Sequence, residues 1–135
     1  MSADFNVSSE KHDNTLVIKT DGYINNTAGE EIVEEFLNNY MDGMDKLVID
    51  MEKSKVVNSF GISYLIDIIE KLNERNGRMV FTNLDLTVEK TFDTMGIFQF
   101  AEKADSLESA LGWIFQPDDF GYSVLNASQK IPVIK

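Results

Sequence analysis

Asn58-Ser59 is the strongest candidate for chemistry in this 135-residue chain. It lies within Val56-Val57-Asn58-Ser59-Phe60-Gly61-Ile62. The apolar run Leu47-Val48-Ile49-Asp50-Met51 precedes it, and a periodic apolar segment follows. A strand, a short loop and a helix therefore meet here. The first turn of a helix presents backbone N–H groups with no intrahelical partner. A hydroxyl at that place can cap the helix, bind an anion or accept a phosphate. Asn and Ser are both favoured N-caps, so capping is the simplest use of the pair.

Other reactive constellations are thin. Glu30/Glu34 and Glu31/Glu35 stand four apart on one helical face. Like charges at that spacing repel mildly, and a solvated face explains them better than a metal site. His12 is the only histidine and falls in a polar stretch near the N-terminus, so serine–histidine catalysis rests on it alone. Asp21 and Asp50 end two apolar runs, yet the acidic pair expected of a phospho-receiver is absent. The chain has no cysteine, no nucleophile elbow and no glycine-rich phosphate loop. These residues predict no catalytic group, no metal and no cofactor, and hence a protein that is not an enzyme.

The elements that position Asn58-Ser59 follow from periodicity. Residues 5–9 and 15–20 are apolar enough for strands, the second ending at Asp21-Gly22. Asn25-Asn26-Thr27 offers caps ahead of a helix whose apolar stripe is Ala28, Ile32, Phe36 and Tyr40, with Val33 and Leu37 beside it. A turn at Asp42-Gly43 leads to a strand over 46–51. A helix over 59–76 carries Ile62, Leu65, Ile66, Ile69 and Leu72, widened by Tyr64 and Ile68, and stops at Gly77. A strand follows over 78–82. Leu84-Asp85-Leu86-Thr87 opens a helix through Val88, Phe92 and Met95, closed by Gly96. Residues 98–100 form a short strand, and Ser106 caps a last helix with Leu107, Ala110, Leu111 and Ile114. Strands alternating with helices imply an α/β layer structure with a mainly parallel sheet.

Composition sets the bounds. The chain is 43% hydrophobic and 26% charged, ordinary for one globular domain. No apolar run approaches the roughly 18–20 residues that cross a membrane. The N-terminus lacks a signal-peptide pattern, so the cytoplasm is the default location. The net charge of −11 disfavours nucleic acid and anionic membrane as partners and suits a basic protein partner. Pro117 ends the alternation. Beyond it, Tyr122-Ser123-Val124-Leu125 and Ile131-Pro132-Val133-Ile134 are apolar enough to dock as an edge strand, a partner contact or a link.

From Val7 to about Phe115 the chain resembles the STAS family of bacterial anti-sigma factor antagonists. Asp21-Gly22-Tyr23-Ile24-Asn25 is similar to the family's segment before its first helix. Residues 47–51 resemble its central strand, and Val57-Asn58-Ser59-Phe60-Gly61-Ile62 its serine signature. Asn76-Gly77 through Asn83-Leu84, then Thr94-Met95-Gly96-Ile97 and Ser106-Leu107-Glu108-Ser109-Ala110-Leu111, follow in the family's order. The resemblance implies a STAS domain over 1–115 and a C-terminal extension over 116–135. The implied fold is a mixed, mainly parallel sheet of four to five strands packed with about four helices. It also implies that Ser59 is phosphorylated by a serine kinase that is itself the anti-sigma factor. Unphosphorylated protein would bind that kinase, and a PP2C-type phosphatase would restore binding. Asn25, Asn58, Ser59, Phe60 and Gly61 are then the expected partner-binding residues, with Gly61 leaving room for the partner's backbone. Asn58 and Asn25 stand where the family carries aspartates, so two negative charges are missing near Ser59. The alternative within the family is a ligand-binding or scaffold module of a sensor or transport complex, with no phosphorylation cycle.

Overall fold

The computed structural model describes residues 5–41 and 43–114, the last two by backbone only. Five strands form one sheet in the order β1 (Asn6–His12), β2 (Thr15–Asp21), β3 (Lys46–Lys53), β4 (Arg78–Thr82) and β5 (Glu102–Ala104). β1 runs antiparallel to β2, and β2 through β5 are parallel. The helices are α1 (Asn26–Asn39), α2 (Ser59–Asn73), α3 (Leu86–Thr94) and α4 (Leu107–Ile114). This mixed sheet with four helices is the expected α/β architecture.

Period-two alternation divides the core. Leu16, Ile18, Leu47, Ile49, Met79 and Phe81 face one side, where they meet Ile32 and Phe36 of α1, Leu65 and Ile69 of α2, and Phe92 of α3. Val17, Val48 and Val80 face the other side and pack on Ala110 of α4. Both faces being covered, the parallel strands are apolar almost throughout. β2, β3 and β4 therefore finish at one end of the sheet, where α1, α2 and α3 begin. Polar bonds tie that end together. Thr20 and Ser54 share a buried hydroxyl bond of 2.7 Å. The buried Asp50 carboxylate accepts from the Glu52 N–H at 3.1 Å and from Asn83 Nδ2 at 3.0 Å.

Four local expectations change. α2 ends at Asn73 rather than 76, because Asn76 takes the left-handed conformation (φ 57°) that Gly77 was expected to take. Gly77 is needed for space instead: a Cβ there would lie 2.5 Å from the Asp45 carbonyl oxygen. Residues 98–100 make no strand. Gly96, at φ 79°, turns the chain into a short 3-10 helix (Ile97–Gln99), and Phe98 packs its ring 6.3 Å from that of Phe92. The true edge strand is the charged β5, which pairs with β4 through Val80, Phe81 and Thr82. Leu37 and Met95 are half exposed rather than core. The tail segments after Pro117 lie outside the described residues.

Candidate functional site

The site is built by two loops leaving the sheet side by side. Gly22 N–H donates to the Lys53 carbonyl at 2.9 Å, and Ile24 N–H to that of Val56 at 3.0 Å. Asn58 N–H returns to the Ile24 carbonyl at 3.0 Å. The loop after β2 thus lies in register with the loop after β3, and the entrances of α1 and α2 are fixed next to each other.

Each entrance is capped by an asparagine. Asn25 Oδ1 accepts from the Ala28 N–H at 3.0 Å, and Asn58 Oδ1 from the Gly61 N–H at 2.9 Å. Both caps have extended backbones, as N-caps do. The cap of α2 is therefore Asn58, and Ser59 is its first helical residue. Ser59 is exposed, and its hydroxyl has no hydrogen-bond partner among the described residues. One dipeptide thus divides two jobs: Asn58 closes the helix, and Ser59 keeps a free nucleophilic oxygen beside the unpaired first-turn N–H groups. Asn58→Ala is expected to lower stability by about 1 kcal/mol in thermal denaturation, whereas Asn58→Asp, an equally good cap, should stay close to wild type.

Gly61 corrects an expectation. It is buried, and a Cβ on it would lie 2.4 Å from the Ile24 carbonyl oxygen. The room it provides is filled by this chain's own loop rather than offered to a partner. Gly29 does similar work between the helices, where a Cβ would meet the Tyr64 ring at 2.5 Å. Tyr64 of α2 then donates to Glu30 of α1 at 3.2 Å. Desolvation first, and the Glu30 carboxylate second, raise the Tyr64 phenol above its ordinary pKa.

Phe60 is exposed by 63% of its surface, so it is not core. Tyr23, Val56 and Leu86 are also largely exposed, and all follow the ends of β2, β3 and β4. Four large apolar side chains thus stand exposed on the loops and helix starts that follow the same strand ends as Ser59. Their signal in the sequence was apolar residues in connections where polar ones are the rule. Of these four, the sequence reading counted only Phe60 among its expected partner-binding residues.

The remaining candidates lie elsewhere. His12 pairs with Glu10 at 2.7 Å and stands opposite Thr15, at the far end of the sheet from Ser59. Glu35 accepts from Ser9 at 2.5 Å, which fastens α1 to β1. Asp21 and Asp50 line a polar cleft of about 310 Å³ with Lys19 and Lys53. Among the described residues no cluster of three metal-ligating side chains forms, and no helix is long and apolar enough to cross a membrane.

The profile of the STAS domain matches residues 6–110. A Bordetella bronchiseptica protein named as an anti-sigma factor antagonist, BtrV, is 22% identical over 104 residues, 77% of this chain and 90% of that one. The crystal structure of an anti-sigma factor antagonist from Mycobacterium paratuberculosis aligns with a TM-score of 0.74 at 20% identity, covering 85% of this chain and 98% of that one. The Bacillus cell-fate determinant SpoIIAA in its phosphorylated form aligns with a TM-score of 0.66 at 21% identity, covering 81% and 99%. The fold is that of anti-sigma factor antagonists.

Proposed function

This chain belongs to the STAS domain family, and we propose that it is an anti-sigma factor antagonist-type regulator switched by phosphorylation of Ser59. The observation that carries this reading is the free, exposed Ser59 hydroxyl on a helix start whose cap is supplied by its neighbour. A phosphate there adds about −1.5 to −2 charges at pH 7. The first-turn N–H groups and the helix dipole accommodate that charge within the domain. The absence of acid at Asn58 and Asn25 removes further repulsion from the phosphoserine. The partners in this reading are an anti-sigma factor serine kinase, which docks on the apolar surface around Phe60, and a PP2C-type phosphatase that resets the serine.

The test is incubation of wild type and Ser59→Ala with a cognate kinase and ATP, followed by mass spectrometry. Wild type is expected to gain one phosphate at Ser59 and the variant none. Phosphate on another residue, with Ser59 unmodified, would sink the proposal. A stable complex indifferent to Ser59 substitution, or a co-purified ligand, would instead favour the scaffold or ligand-binding role.

A further inference from the structure

A second apolar feature lies away from Ser59. Between the C-terminal half of α2 and the turn after α3 runs a groove of about 190 Å³. Ile66, Ile69 and Ile97 line it, with the exposed Met95 and Phe100. Among the described residues Glu70 is the only charged side chain in its lining. Large side chains left half exposed beside such a groove make it a candidate docking site.

We propose that the occupant is this chain's own segment Ile131-Pro132-Val133-Ile134. Three observations point to it. The first is charge. Asp118 and Asp119 balance Lys130 and Lys135, so the net charge of −11 resides in residues 1–115. Lys130 and Lys135 bracket the apolar segment and present cations to an acidic domain with Glu70 in the groove wall. The other apolar stretch, Tyr122-Ser123-Val124-Leu125, follows Asp118-Asp119 and carries the wrong sign for Glu70.

The second is reach. α4 lies on the opposite face of the sheet from α2 and α3, so the segment must pass round an edge. The groove residues 95–100 directly precede β5, the three-residue edge strand on that side. Residues 115–130 can span up to roughly 50 Å, against a radius of gyration of about 13 Å for a domain of this size.

The third is conformational. Pro132 fixes its own φ and holds Ile131 in extended geometry, which lowers the entropy lost on docking. In an extended segment residues two apart, such as Ile131 and Val133, share one face, and the proposed docking would seat that face in the groove.

The absence of native cysteine allows a clean test in the full chain. A nitroxide is placed on Ser128→Cys, and amide intensities are compared with those after its reduction. Signal loss is expected at Ile66, Glu70, Asn73 and Met95 through Ile97, with the Ser59 end unaffected. Val133→Asp in the same chain should restore those signals, and so should Met95→Lys, a change at an exposed position that leaves the core intact. Broadening that is absent, uniform or centred elsewhere overturns the proposal. So does the same broadening in a mixture of spin-labelled and isotope-labelled chains, because the groove would then be filled by a second copy. So too does broadening that survives both substitutions.

Discussion

Gly61→Ala is expected to lower the stability of the domain by about 2–3 kcal/mol, a drop on the order of 10 °C in melting temperature. The added methyl would stand 2.4 Å from the Ile24 carbonyl oxygen, 2.8 Å from Ile24 Cγ2 and 3.0 Å from its carbonyl carbon. Ile24 cannot step aside. It is fully buried, its N–H is bonded to Val56, and its carbonyl holds the Asn58 N–H. Alanine gains up to about 1 kcal/mol of helix propensity over glycine, which offsets only part of this overpacking. The clash falls on the bond that fixes the entrance of α2, so the helix start carrying Ser59 is expected to move as well. Gly112→Ala is the contrasting change: among the described residues nothing lies within 4 Å of its added Cβ, and it is expected to stabilise α4 by roughly 0.5–1 kcal/mol. Chemical denaturation of both variants checks the pair. Equal stabilities would show that the loop yields and that the glycine is not required for packing.

Gly61 also shows where the sequence stops being legible. A glycine in the first turn of a helix is visible, but the atom that occupies its space comes from a loop more than thirty residues earlier. The caps Asn25 and Ser106 were legible, because each precedes an apolar stripe and each accepts a first-turn N–H. Asn58-Ser59 was legible as a helix start. The division of labour within it was not, since either side chain can cap and only the backbone shows that Asn58 does. The apolar runs of β2, β3 and β4 announced buried strands. β5 could not be found, because Glu102-Lys103-Ala104 has no apolar pattern and is a strand only by pairing with β4. Phe98 and Phe100 looked like that strand, but Gly96 turns the chain there, so one ring goes to Phe92 and the other to solvent. The apolar ring around Ser59 was invisible for a related reason. Tyr23, Val56, Phe60 and Leu86 belong to separate connections, and only parallel strands ending together gather them.

That gathering gives the larger effect. Phosphorylation of Ser59 is expected to weaken binding to the proposed kinase partner by at least about 100-fold, roughly 3 kcal/mol, while leaving domain stability within about 1 kcal/mol. The asymmetry follows from the surroundings of one oxygen. Within the domain the phosphate meets unpaired N–H groups, the positive end of α2 and two neutral asparagines, so folding is little disturbed. In the proposed complex the same group would lie near the exposed Phe60 in a contact from which water is expelled, and an unpaired dianion in such a place is costly. Phe60→Ala separates the two contributions. It removes an exposed aromatic ring, so it should weaken the proposed complex by about 2 kcal/mol, some 30-fold, with no loss of folding stability. Calorimetric titration of the partner with wild type, phosphorylated protein and Phe60→Ala, each with its own melting curve, makes the comparison. Phosphorylated protein that binds within about twofold of wild type would remove the charge mechanism altogether. A phosphate that instead unfolds the domain would place the switch in folding rather than in the surface that Ser59 shares with Phe60.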